Sequence, residues 1–77
     1  MSKESIEKGR LTHIVFRLLQ NANKVLDMKD KEKNSEYVDG LVDAYYEVLC
    51  TIQSELLFAG QDLSEFGLDI DLEKIFF

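Results

Sequence analysis

The sequence predicts an all-α fold. It reads as a long antiparallel helical hairpin followed by a short C-terminal helix or arm, with two hairpins expected to pair into a four-helix bundle. Three observations lead there. Apolar residues recur at steps of three and four through two long segments, which is the period of an amphipathic helix. The stretch between those segments is polar and dense in charge. The chain has 77 residues, no proline and one cysteine, so it is a single helical domain, 1–77, with no internal disulfide.

The first helix is expected over about 5–30. Leu11, Ile14, Val15, Leu18, Ala22, Val25 and Leu26 fall within an arc of roughly 120° at ~100° per residue, and Leu19 widens it. Gly9 weakens the opening turns, because glycine costs ~1 kcal/mol relative to alanine in a helix. The spacing therefore predicts fraying before Arg10 or a start near it. Asp27 to Ser35 form the connection, with room for one more turn of helix. Asn34 or Ser35 is the N-cap of the second helix, since a short side-chain oxygen accepts from an otherwise orphaned N–H.

That second helix is expected over about 35–59. Val38, Leu41, Val42, Tyr45, Val48, Leu49, Ile52 and Leu56 share one face, the strongest periodic signal in the chain. Gly40 is tolerated inside it at a cost, and Gly60 is the stop. In the arm, 61–77, Asp62 or Ser64 caps a short turn and Gly67 breaks it. Leu68, Ile70 and Leu72 then alternate with acids at strand period. No other segment offers a partner strand, and an unpaired strand leaves its backbone unsatisfied. Asp71 followed by Leu72, Glu73 and Ile75 reads instead as a capped short helix.

Composition narrows the function classes. Apolar residues at 45% and charged residues at 31% are the balance of a soluble globular domain. No apolar run reaches the ~18 residues of a membrane span. Met1 to Ser5 leads into a charged amphipathic segment rather than a signal peptide. A lone cysteine fits a reducing, cytoplasmic setting. The net charge of -6 is a poor match to nucleic acid. A single core at this length contributes ~3–5 kcal/mol, so self-association is expected.

The two helices alone leave apolar surface uncovered. Tyr46, Cys50 and Leu57 form a second stripe on helix two, roughly 120° from the first. Phe58 points elsewhere, and Phe16 lies opposite the main stripe of helix one. The arm is expected to cover part of this surface. A homodimer, or a different protein, covers the rest.

Charge is divided unevenly. Residues 1–33 hold eight Lys and Arg against five acids, net +3, and residues 34–77 hold one Lys against ten acids, net -9. Lys3, Arg10, Arg17, Lys24 and Lys31 recur every seventh residue and form one basic edge beside the apolar stripe, where charge selects partner and orientation. Glu36, Asp39, Asp43 and Glu47 line an acidic stripe on helix two. Two solvated faces explain these residues; so does attraction between the rows, within a chain or across a dimer.

Candidate chemistry is sparse. From Asp62, Gly67 and Glu73 fall at positions six and twelve of a calcium loop, but Phe66 at position five offers no oxygen. Glu36-x-x-Asp39 followed by Asp43 and an apolar helix resembles the MazG-like nucleotide pyrophosphohydrolases over about twenty residues. That resemblance implies an all-α enzyme holding magnesium between acids of two facing helices. The first helix departs from the pattern, with no acid between Arg10 and Val25. His13 and Cys50 point to different sides of their helices and do not pair. Acids four residues apart repeat every ~6 Å, close to a phosphate spacing, which also fits a nucleic-acid-mimicking inhibitor. The sequence thus predicts a small acidic protein–protein interaction or regulatory module, with no catalysis, cofactor or metal of its own. The pyrophosphohydrolase-like protein and the mimic are the alternatives.

Overall fold

The computed structural model describes residues 7–32 and 34–77. Two long helices, α1 (Lys8–Lys31) and α2 (Glu36–Phe58), are joined by residues 32–35. They are antiparallel: Lys8 and Leu11 at the start of α1 lie beside Leu56 and Ala59 at the end of α2. A 3-10 turn, Leu63–Phe66, and a short helix, α3 (Leu72–Phe76), complete the fold. No strand occurs among the described residues, so the alternating stretch 68–73 resolves as a segment entering a helix.

The helix ends obey local chemistry. Gly9 lies just inside α1, which begins at Lys8 rather than near Arg10. The expected extension back to Ser5, and Lys3 of the basic edge, lie outside the described residues. The C-terminal end of α1 runs on to Lys31, taking up part of the polar connection. Ser35 caps α2, its Oγ accepting from Val38 N–H at 3.2 Å. Gly60, at φ 77°, closes α2. Gly60 N–H donates to Leu57 O at 3.0 Å and Gln61 N–H to Leu56 O at 2.9 Å, the paired bonds of a Schellman end. Asp62 and Asp71 cap the 3-10 turn and α3 through Ser64 N–H and Lys74 N–H.

The arm returns along one side of the hairpin. Lys8 pairs with Glu65 at its beginning. Midway, Gln53 Nε2 donates to both Leu68 O and Ile70 O, at 3.0 and 3.1 Å. At its end Lys29 Nζ donates to Phe76 O at 3.0 Å. The core is the seam these three segments share. Val15, Ala22 and Val25 enter it from α1, Val38, Val42, Leu49 and Leu56 from α2, and Phe66, Leu68, Leu72 and Phe76 from the arm. Four large arm residues thus supply a third wall, each fully buried apolar side chain contributing ~1.5–3 kcal/mol.

The third wall rotates the core away from the centre of the periodic stripes. Ile14 and Val48 belong to those stripes, yet they remain 38% and 44% exposed. Leu41, Tyr45 and Ile52 are half-buried. The stripe edges on the far side from the arm face outward.

Candidate interaction surface

The arm settles where the second stripe of α2 goes. Tyr46 packs on Phe76 and Phe77, ring centroids 6.0 and 4.9 Å apart. The Phe77 contact is edge-on and the Phe76 contact tilted, and an edge-on pair adds ~0.5–1.5 kcal/mol beyond the area it buries. Lys29 Nζ lies 5.5 Å from the Phe77 ring centroid on the same side. The neighbouring Cys50 pushes the Tyr46 phenol above its ordinary range, first as a side-chain hydrogen-bonding partner and then through the negative charge of its ionised thiolate. Burial and the nearby Glu73 and Asp71 push the same way. Cys50 is half-buried against the core. Cover for Tyr46 and Cys50 therefore comes from the chain's own arm. Leu57 and Phe58 stay outside, Phe58 almost wholly so, and Phe16 is also exposed.

Among the described residues, the opposite side of the hairpin has no such cover. There α1 and α2 flank a shallow groove lined by Leu18, Ala44, Tyr45 and Val48, with Ile14 beside it one turn away from Leu18 on α1. Every lining side chain is apolar apart from the Tyr45 hydroxyl. By the ~100° step, Arg10, Arg17 and Lys24 flank this groove on α1, while on α2 Glu55 falls beside Ala44 and Val48 and Glu47 lies roughly 60° beyond Ala44, where the acidic stripe begins. All five are exposed. Glu36, Asp39 and Asp43 are exposed as well, on the outer side of α2. Among the described residues the ion pairs are Lys8 with Glu65 and Lys31 with Asp27. Arg10, Arg17 and Lys24 of the basic edge therefore form no ion pair with the acidic stripe of the same chain, the two rows lying on outward-facing sides of their helices.

Sequence reasoning located the charge rows and named Phe16, Leu57 and Phe58, which are exposed, together with Tyr46 and Cys50 of the second stripe, part of which it expected the arm to cover. It missed Ile14, Ala44 and Val48. Ile14 and Val48 sit at the margins of their stripes, the only signal that could have marked them.

Other candidate chemistry is not gathered by the fold. His13 is exposed on α1, and Cys50 is half-buried on α2 facing the arm. Among the described residues no group of three His, Cys, Asp or Glu side chains is placed to hold a metal ion. In the arm, Asp62 accepts from Ser64 N–H and Oγ at 3.0 and 2.8 Å. Those bonds hold its carboxyl below the ordinary carboxylate range. No described helix is long and apolar enough to cross a membrane. Comparison with known proteins yields no family model, no curated protein and no solved structure that matches the chain.

Proposed function

We propose that the chain is a small protein–protein interaction or regulatory module that works without chemistry of its own, and that it associates with a second copy to make a four-helix bundle. The observation that carries this reading is the apolar groove of Leu18, Ala44, Tyr45 and Val48, left open after the arm has filled the other side of the hairpin. Polar groups that would orient a small substrate do not converge in it, whereas ligand sites combine apolar walls with a few such groups. A flat apolar strip between charged rims is the anatomy of a protein interface.

Light scattering behind a sizing column, over a tenfold dilution, tests the reading. The expected mass is twice the 8.9 kDa of the chain. A mass of one chain at every concentration would refute self-association. A metal-dependent nucleotide hydrolase should gain thermal midpoint on adding magnesium and a nucleoside triphosphate, because ligands that bind the native state stabilise it. The module reading expects no such gain.

A further inference from the structure

The proposed self-association leaves open which faces meet and in which orientation; resting on that reading, we infer that the open groove is the interface and that the twofold axis runs parallel to the helices, so that α1 of each protomer lies over α2 of its partner. Two observations choose the occupant and the orientation.

The first is area. A helix of 23 residues, the length of α2, spans ~35 Å. Two such helices side by side, at an axis separation of ~8–10 Å, present a face on the order of 700 Å². That approaches the ~800 Å² per partner of a standard interface. The groove side of a second hairpin has the same length and width, and it is equally apolar along its midline.

The second is charge. A twofold axis lying in the interface can run across the helices or along them. Across, it sets α1 on α1 in reversed order, so the basic rim meets its own copy with Arg10 near the partner's Lys24 and Arg17 near the partner's Arg17, and the acidic α2 row likewise meets its own copy. Along, it sets α1 on α2, and each basic rim meets an acidic one. Heights also agree. Leu11 is level with Leu56, and Leu18 with Tyr45 and Val48. Arg10 is therefore level with Glu55, and Arg17 with Glu47. An axis along the helices preserves height, so Arg10 faces the partner's Glu55 and Arg17 faces the partner's Glu47. Each pair occurs twice by symmetry. Like charges opposed across an interface select against the other orientation more strongly than the matched pairs hold this one.

Charge reversal tests the orientation in the full chain. Arg17→Glu and Glu47→Arg are each expected to raise the dimer dissociation constant about tenfold at low salt. Combined, they should restore it to within about threefold of the original, since the pair is swapped rather than lost. Val48→Arg, on the exposed floor of the groove, should abolish the dimer and leave helical circular dichroism unchanged. A dimer that ignores Val48→Arg overturns the choice of face. A dimer that ignores both charge reversals, or is not rescued by their combination, overturns the orientation. In each case the module reading above would still stand. A wild-type chain that is monomeric at every concentration overturns both.

Discussion

Leu68→Ala probes whether the arm is an integral wall of the core. Leu68 belongs to no helix, yet it is completely buried, 0% exposed. Its backbone is held from two directions: Leu68 N–H donates to Leu63 O at 3.0 Å, and Leu68 O accepts from Gln53 Nε2 at 3.0 Å. The site therefore has little freedom to collapse when the side chain is shortened. Truncating a buried leucine costs the lost transfer energy plus a cavity term, ~3–5 kcal/mol where relaxation is limited. A 77-residue domain holds ~4–12 kcal/mol in total at roughly 0.05–0.15 kcal/mol per residue. The substitution thus removes about a quarter of the stability at the least. At ~4–8 °C per kcal/mol for a domain of this size, a loss of ~3 kcal/mol lowers the thermal midpoint by ~12–24 °C. Urea unfolding monitored by circular dichroism, at one fixed protein concentration, measures the loss directly. Leu57→Ala, on the exposed surface of α2, is the matched control and should stay within ~0.5 kcal/mol. A loss below ~1 kcal/mol at Leu68 would refute the packing of the arm against the hairpin.

Tyr46→Ala should speed amide exchange across residues 72–77 without changing the solution mass, because Tyr46 holds Phe76 and Phe77 of its own chain; a fall in mass would return Tyr46 to an interface between copies. Gly67→Ala should cost ~1–2 kcal/mol in urea unfolding, since Gly67 sits at φ 72° and an added Cβ meets only an ordinary contact with Leu19 Cδ1 at 3.6 Å. Gly40→Ala, inside α2 with nothing within 4 Å of the new Cβ, should instead gain ~0.5–1 kcal/mol. Asp62 titrates below its ordinary range in the folded chain, so the folded state binds this proton less readily than the unfolded one. Its contribution is complete above the ordinary carboxylate range of about pH 4 and is lost as the pH falls through the lowered folded value. Asp62→Ala should flatten the acid side of the stability–pH curve, and an unchanged slope would show that Ser64 does not hold the carboxylate.

Local chemistry made the two long helices, their caps and their stop legible from the chain alone. Periodicity over twenty residues, Ser35 before Val38, and Gly60 after Leu56 each act within a few residues, and the backbone around them has no better option. The charge rows were legible for the same reason, since a heptad spacing places Arg10, Arg17 and Lys24 on one edge whatever surrounds them. The arm was different. Phe66, Leu68, Leu72 and Phe76 are spaced by two and by four and keep to no single period, so their burial could not be read as a face. Only the tertiary structure decided which side of the hairpin they fill. Gln53 and Lys29 tie down arm carbonyls 15 to 47 residues away, and such distant bonds leave no local trace in sequence. That choice turned Tyr46 and Cys50 inward and left Ile14, Ala44 and Val48 facing out. A helical stripe shows which residues are apolar; which edge stays open depends on where the rest of the chain comes to lie.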